Sequence, residues 1–235
     1  MFAAIFEILP KRGRYDDYLT LAGQLRPLLQ RIDGFVDSER FESQTRSGWI
    51  LSVSTWRDEK SMIRWRTMEE HHKIQKRGRF DIFEDYHLRV GEVTVGKEVS
   101  KEASIREQRF DETEIGAAKM LTLTEVLPGS PSMGQTNQLA AKLGLDLGDH
   151  GMVESDIFAS IYTPGKLALL VGWRDARAAD NWTPAKHPYM KVWYRKIRVV
   201  RDYGMFDRRE APQFYPDVQG RKTEHSTLRE LTCST

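Results

Sequence analysis

The chain has 235 residues, of which 40% are hydrophobic and 30% charged, and its 36 basic and 34 acidic side chains leave a formal net charge of +2. These proportions are typical of a globular protein. The near balance of charges gives no sign of the clustered basic face that nucleic-acid binding requires. We expect no membrane span and no signal peptide, because the apolar runs are only strand-sized and no basic segment precedes one at the N-terminus. The single cysteine, Cys233, rules out an internal disulfide and a cysteine-based metal site, and indicates a cytoplasmic location.

The first half of the chain predicts a strand, a helix, two strands, a second helix and a final strand. The predicted bounds are 2–9 for the first strand, about 15–32 for the helix, 35–43 and 49–56 for the paired strands, 58 to about 76 for the second helix, and 86–95 for the last strand. Pro27 should kink the first helix, and Gly34 should end it. Asp58 can cap the second helix, and Gly78 should end that one.

The second half predicts the same order in a weaker form. Its elements are a strand over 120–127, a short helix over 137–145, strands over 152–161 and 167–173, a helix that begins at 175, and a strand over 199–206. Pro184 and Pro188 should break the second helix of this half. Residues 96–116 are predicted to be a charged linker, and residues 208–235 a polar tail that is either a wrapping arm or disordered.

One offset of 117 residues aligns most of the two halves without gaps. The aligned residues include Trp56-Arg57-Asp58 with Trp173-Arg174-Asp175, Trp65 with Trp182, and Asp85-Tyr86 with Asp202-Tyr203. The β-α-β-β-α-β order is the ferredoxin-like plan, in which helices cover one face of the sheet, so the other face must be buried. We therefore predict an α+β fold of two tandem ferredoxin-like β-α-β-β-α-β units, a first unit over 1–95 and a second over 117–207, whose sheets form a pseudo-dimeric α+β barrel.

A series of residues in the first unit is more specific than this order of elements. It runs Ile32-Asp33-Gly34-Phe35, Glu39-Arg40-Phe41, Trp56-Arg57-Asp58-Glu59, Trp65-Arg66, His71, Gln75, Gly78-Arg79 and Asp85-Tyr86. The series resembles the antibiotic biosynthesis monooxygenase (ABM) family of dimeric α+β barrel proteins over residues 2 to about 95, and again over 200–204. The resemblance implies a pocket between sheet and helices in which a phenolic, anthrone or quinol substrate is oxidised by O2 without metal or flavin. Other relatives in the superfamily bind and degrade heme.

The resemblance also implies which residues form the catalytic part of this pocket. His71 fits the family pattern as a general base near neutral pH. Its neighbour His72 is also a candidate base, but it would point about 100° away around the helix, so at most one of the two faces the pocket. The alternative for either is a histidine that faces solvent or caps the helix. Trp65 and its repeat counterpart Trp182 are candidate pocket walls, and the alternative for both is ordinary core packing.

Further residues are candidates for holding the substrate or its anion. Tyr86, a catalytic candidate, and Tyr203 each follow an aspartate, and could donate a hydrogen bond in the pocket or tie a helix end to a strand. Arg79 could hold an anionic substrate or lie in solvent. Glu7, in the middle of an apolar strand, is a candidate base with a raised pKa if it faces inward, and an edge charge if it faces outward. His187 is a weaker candidate because a proline follows it.

These residues predict a cofactor-independent, metal-free monooxygenase that acts on a small aromatic or quinol-type substrate. The alternative is a protein that binds heme or a hydrophobic metabolite without turnover, and a third interpretation keeps a pocket in the first unit only. Heme-degrading relatives carry a strand asparagine, and an axial histidine about ten residues after the tryptophan. This chain has Glu7 and Gln75 at those positions, which argues against heme degradation. The substrate's identity and homo-oligomerisation stay open.

Overall fold

Eight antiparallel strands close into one barrel in the computed structural model, which describes residues 1–96, 111–129 and 138–212. The first unit contains β1 (Phe2–Pro10), α1 (Tyr15–Leu29), β2 (Phe35–Ser43), β3 (Ile50–Trp56), α2 (Glu59–Thr67), α3 (Glu69–Arg77), a π-helix (Gly78–Ile82) and β4 (Phe83–Val95). The second unit contains β5 (Met120–Pro128), α4 (Leu139–Lys142), β6 (Met152–Ser160), β7 (Leu167–Trp173), α5 (Ala176–Asp180) and β8 (Met190–Gly204).

The order of strands around the barrel keeps the two units separate. The order is β1-β3-β2-β6-β7-β5-β8-β4, and β4 pairs with β1 to close the barrel. Within each unit the first strand lies between the fourth and the third, which is the ferredoxin-like arrangement. The units join at two seams, β2 with β6 and β4 with β8. This topology confirms the predicted α+β fold of two ferredoxin-like units in a pseudo-dimeric barrel.

Alternate residues of β1 face opposite sides of the sheet, and this alternation decides which of them approach the helices. Ala3 and Ile5 point into the barrel, where they join a buried cluster with residues of the second unit such as Phe158. Phe6 and Ile8 belong to a different cluster, which packs under α1. The sheet of the first unit is therefore buried on both faces.

The second helical region of the first unit breaks at Met68, which differs from the single helix predicted there. Met68 has extended backbone angles (φ −61°, ψ 134°), so α2 ends before it and α3 starts after it. The Asp58 carboxylate accepts a hydrogen bond from Ser61 N at 2.7 Å and caps α2 as predicted. The break turns the chain so that His71 of α3 lies against Trp65 of α2.

In the second unit the helices are short and the last strand is long. The five-residue helix α5 is capped by Asp175, as predicted. The chain then runs past Pro184 and Pro188 without a helix, also as predicted, because a proline nitrogen cannot donate a helical hydrogen bond. The prediction that the last strand starts at residue 199 is wrong: β8 starts at Met190, where its pairing with β5 begins.

The remaining bounds differ from prediction at the ends of elements. α1 ends at Leu29, soon after Pro27, rather than at residue 32. β4 begins at Phe83, directly after the π-helix. Residues 97–110 of the predicted linker and 213–235 of the predicted tail, with Cys233, lie outside the described residues. Within the described ranges, no helix is both long and apolar enough to span a membrane.

Candidate functional site

A cavity of about 220 Å³ lies in the first unit, between the outer face of the sheet and the helices α1, α2 and α3. We call it the first-unit pocket. Its apolar walls include Phe6, Leu21, Leu25, Met62, Leu88 and Val90. The volume is below the range of about 300–1,000 Å³ that is usual for ligand pockets, so the space suits a small molecule.

His71 lines this pocket and stacks on the Trp65 ring, with 4.1 Å between the ring centroids. Its Nδ1 lies 3.0 Å from the Trp65 carbonyl oxygen. Because a carbonyl oxygen only accepts, Nδ1 carries the proton and Nε2 is the basic nitrogen. Burial outweighs the effect of this hydrogen bond and lowers the pKa of His71 to about 4. At neutral pH His71 is therefore an uncharged ring whose Nε2 can accept a proton.

The Tyr86 hydroxyl accepts hydrogen bonds from two guanidinium groups. Arg79 Nη1 donates to it at 2.9 Å, and Arg208 Nη1 donates at 2.5 Å. Arg79 is 2% exposed, and its Nη1 also donates to the Met205 carbonyl at 2.9 Å. Because the phenol oxygen already accepts twice, its own proton is left to donate. Tyr86 thus combines a hydrogen-bond donor with two adjacent positive charges, which is a suitable environment for an anion.

The π-helix brings Arg79 into the pocket. π-Helices are rare and often occur at functional sites. Gly78 begins this one, and a Cβ atom at Gly78 would lie 2.6 Å from the Phe83 ring, so a larger residue would push the two segments apart. Arg79 follows directly and is buried, so the alternative that places it in solvent is wrong.

Tyr203 comes from the second unit but lines the first-unit pocket. β8 pairs with β4 and sets Tyr203 opposite Leu88 in the register. Burial, only partly offset by the charge of Arg66, raises the pKa of Tyr203 to about 12. The hydroxyl is therefore protonated at neutral pH and can donate a hydrogen bond. The tyrosines of both repeated Asp-Tyr pairs meet at one pocket.

Positive side chains outnumber negative ones in the lining of this pocket. Among the described residues that line it there are four arginines, namely Arg40, Arg66, Arg79 and Arg208, and no aspartate or glutamate. These arginines give the lining a net positive charge, to which the neutral His71 adds nothing. This charge favours an anionic ligand or an anionic intermediate.

Glu7 lies on the other side of the sheet, where it is 4% exposed and paired with Arg89 and Arg46. Burial acts to raise the pKa of Glu7, but the two arginines outweigh burial and lower it. Glu7 thus faces inward, but its lowered pKa contradicts the predicted base with a raised pKa, and its burial contradicts the alternative of an edge charge. Glu7 borders a second cleft of about 460 Å³, whose lining also includes Tyr86 and Tyr203 of the first-unit pocket.

Three other predicted site residues lie away from the first-unit pocket. His72 is exposed on α3. Trp182 is buried 6.1 Å from Trp173, ring centroid to centroid, in an apolar cluster of the second unit. His187 lies in the irregular segment before β8, with its ring centroid 6.1 Å from that of Tyr189. The pocket thus brings together Trp65, His71, Arg79, Tyr86 and Tyr203.

The second unit is packed differently where it corresponds to the first-unit pocket. Leu139, Leu143 and Leu145 join Trp182 in one buried cluster against the sheet. The short helices α4 and α5 leave these side chains to cover the strands. In the described residues of the second unit, this face of the sheet is therefore covered by apolar side chains.

Among the described residues, no group of three or more histidine, cysteine, aspartate or glutamate side chains is arranged so that it could hold a metal ion.

Comparison with known proteins identifies the family. The model for the antibiotic biosynthesis monooxygenase family matches residues 1–77. A protein of Pyricularia oryzae described as "Jasmonate monooxygenase ABM" is 43% identical over 221 residues, which make up 92% of this chain and 99% of that protein. The chain belongs to the antibiotic biosynthesis monooxygenase family. The Pyricularia relative aligns along both units of this ABM protein, whereas the family model covers only the first.

Solved structures resemble this ABM protein in fold. An aldoxime dehydratase matches 84% of this chain and 80% of its own, with a TM-score of 0.52 at 11% identity. An anthrone oxidase-like protein matches 90% of this chain and 96% of its own, with a TM-score of 0.34 at 14% identity. At 11% identity the likeness to the aldoxime dehydratase concerns the fold alone.

Three arginines of the pocket received no role from the sequence. Arg40 and Arg66 stand within the series that resembles the ABM family, and that resemblance is the signal by which they could be found. Arg208 follows the second unit and has no repeat counterpart, so nothing in the sequence marks it. Its position depends on a contact with Tyr86, which is 122 residues away.

Proposed function

We propose that this ABM-family protein is a monooxygenase that binds a small, largely apolar substrate in the first-unit pocket and oxidises it with O2, without a metal or a flavin. One observation carries the proposal: the neutral ring of His71 and the Tyr86 hydroxyl, with its guanidinium donors, line the same apolar cavity. A reaction of this kind needs a base and a positive environment for the anion that the base creates.

In the proposed reaction, His71 Nε2 removes a proton from an acidic C–H or O–H group of the substrate. The Tyr86 hydroxyl and the positive charge of Arg79 stabilise the resulting anion. The anion passes one electron to O2, and the radical pair combines to form a C–O bond as a peroxide, which then loses water. When the reacting group is a methylene, it becomes a carbonyl: one oxygen atom of O2 stays on the carbon, and the other leaves as water with both methylene hydrogens. The substrate supplies all four electrons, so no external reductant is needed.

Two classes of substrate fit these groups. Electron-rich phenols, anthrones and quinols form anions that can reduce O2 directly. Jasmonate, which appears in the description of the Pyricularia relative, is a cyclopentanone with a carboxylate side chain. Its ketone makes the neighbouring methylene acidic, and its negative charge suits a lining with four arginines. Both classes contain small molecules, which is the size that a pocket of about 220 Å³ suits.

A resident heme does not fit this pocket. The cavity of about 220 Å³ is too small for a porphyrin unless its walls open. Gln75 lines the pocket where heme-degrading relatives place an axial histidine, and Glu7 faces the barrel. Heme therefore has no part in the proposed reaction. Titration with hemin is expected to leave the Soret band of free hemin unchanged, and a shifted band that His71→Ala abolishes would contradict this expectation.

Oxygen uptake by the metal-depleted protein tests the proposal. With a panel of hydroquinones, anthrones and jasmonate, the protein should consume one O2 per substrate oxidised, faster than buffer alone. His71→Asn keeps a donor for the Trp65 carbonyl but removes Nε2, so the rate should fall about 100-fold or more. His72→Asn, on the exposed side of the same helix, should keep the wild-type rate. Uptake at the buffer rate across the panel, or equal rates for the two variants, would contradict the proposal.

The pH dependence of kcat/KM reports the protonation of His71. Because the pKa of His71 is lowered to about 4, Nε2 stays unprotonated well below the usual value of 6.5. We expect kcat/KM to stay level from neutral pH to about pH 5 and to fall only near pH 4. The same shift should make the fold less stable as the pH falls from 6.5 to 4, because only the unfolded chain takes up this proton in that range. An acid limb near pH 6.5 would argue against His71 as the base.

A further inference from the structure

The segment that follows β8 returns to the first-unit pocket. We call residues 205–210 the strap. Met205 N donates to the Tyr86 carbonyl at 3.0 Å, and the Met205 carbonyl accepts from Arg79 at 2.9 Å. A hydrogen bond from Gly204 N to the Asp207 carbonyl, at 2.8 Å, then turns the chain. The near end of the strap is thus fixed to the pocket residues of the first unit.

The far end of the strap is fixed by Glu210. Its carboxylate accepts hydrogen bonds from the Thr113 hydroxyl at 2.8 Å, from Glu114 N at 2.7 Å and from Asp202 N at 2.6 Å. Burial alone would raise the pKa of Glu210, but these hydrogen bonds lower it, so the group is ionised at neutral pH. Glu210 therefore ties together the strap, the segment that precedes β5, and β8.

Arg208 lies between these two fixed ends. Its Nη1 donates to the Tyr86 hydroxyl at 2.5 Å, and its guanidinium lies 5.7 Å from the centre of the Tyr203 ring. Arg208 is half-buried, whereas Arg79 is 2% exposed. The next residue, Arg209, is exposed and pairs with Asp207 at 2.5 Å. The strap thus turns one arginine toward the pocket and its neighbour toward solvent.

We propose that Arg208 is the residue that selects acidic substrates, by binding their carboxylate at the half-buried edge of the first-unit pocket, and that Glu210 positions it. The proposal rests on the proposed function, because it takes the same pocket as the substrate site. An amphipathic acid bound in this way keeps its charged end near solvent, where desolvation costs least, and its apolar part among the pocket walls. The guanidinium can bind a carboxylate through two parallel hydrogen bonds, and the Tyr203 hydroxyl is a further donor nearby.

Binding of jasmonate and its methyl ester, measured by calorimetry under nitrogen so that no oxidation occurs, tests the role of Arg208. The wild-type protein should bind the acid more tightly than the uncharged ester. Arg208→Met should weaken binding of the acid about ten- to a hundredfold and leave the ester within about threefold. Arg208→Lys should be intermediate, because lysine keeps the charge but loses the planar fork. Arg209→Met removes the same charge from the same strap and should leave the affinities for both ligands unchanged.

Glu210→Gln tests the positioning role. It weakens the anchoring of the strap without touching the pocket, so it should reduce the affinity for the acid while the affinity for the ester stays constant. A structural role alone would lower both affinities together. Equal binding of acid and ester by the wild-type protein, or equal losses for both ligands in Arg208→Met, would overturn the proposal. Failure of the proposed function would be distinguishable, because it would abolish oxygen uptake while the preference for the acid remained.

Discussion

Replacement of Tyr86 by phenylalanine is expected to lower kcat about 100- to 1,000-fold, which is the usual effect of removing one donor to a developing anion. The Tyr86 hydroxyl accepts hydrogen bonds from Arg79 and Arg208. It is therefore a hydrogen-bond donor with two positive charges beside it, placed to stabilise the substrate anion. Phenylalanine keeps the ring that packs edge-on against Phe6 and Phe83. Because the lost interaction strengthens as the anion forms, KM should change little.

Steady-state kinetics with the most active substrate of the oxygen-uptake panel measure this effect. Tyr15→Phe is the matched control, since Tyr15 is a half-buried tyrosine that is not among the residues lining the pocket. Its kcat should equal that of the wild-type protein. A Tyr86→Phe variant with kcat within about threefold of the wild-type value would show that Tyr86 does not stabilise the anion.

Replacement of Arg89 by methionine is expected to lower the free energy of unfolding by about 3–5 kcal/mol, as is usual when one partner of a buried ion pair is removed. Arg89 is fully buried inside the barrel and pairs with Glu7 and Glu154. Methionine fills similar space, but among the residues that the structure describes it leaves the 4% exposed Glu7 paired with Arg46 alone. For a chain of this size each kcal/mol shifts Tm by about 2–4 °C, so Tm should fall by at least about 6 °C.

Chemical denaturation and thermal melting measure this loss. Arg57→Met is the matched control, because the Arg57–Asp33 pair has side chains that are 54% and 70% exposed, and solvent screening leaves such a pair with little effect on stability. The double variant Glu7→Gln/Arg89→Met should recover part of the stability, since the uncompensated charge is then gone. An Arg89→Met protein within about 1 kcal/mol of the wild type would contradict a structural role for this network.

The Arg89 network has a counterpart on the other side of the barrel. Arg195 pairs with Glu125 of β5 and with Asp37 of β2, just as Arg89 pairs with Glu7 of β1 and with Glu154 of β6. Each network therefore joins residues of both units across the barrel. The second unit holds the barrel closed and supplies Tyr203 and the strap, although its own sheet is covered by apolar packing. The first-unit pocket therefore includes side chains that the second unit and the strap supply.

The order of elements could be predicted because its signals are local. The aspartates Asp58 and Asp175 each stand three residues before the backbone N–H that they cap, so the helix starts follow from the sequence alone. Alternating apolar residues mark the strands in the same way. The pairing of the two sheets could also be predicted from the repeat, because each unit leaves one face of its sheet uncovered by helices, and that face must be buried.

The face on which Glu7 lies could not be predicted, and neither could the break at Met68. β1 is buried on both faces, so its sequence lacks the clear alternation that would separate the barrel side from the helix side. Met68 has no proline or glycine next to it, and the break becomes visible only in the packing of His71 on Trp65. The role of Arg208 depends on long-range contacts of the strap, for which the repeat offers no template.

The incorporation of oxygen from 18O2 tests most directly the central claim, that the first-unit pocket oxidises its substrate without a cofactor. Metal-depleted protein, incubated with substrate under 18O2 and without a reductant, should form a product that carries one 18O atom when it is analysed before carbonyl exchange with water. The His71→Asn variant should form this product at a rate that is lower by about 100-fold or more. A product without 18O, or a reaction that requires added heme, flavin or reductant, would contradict the account.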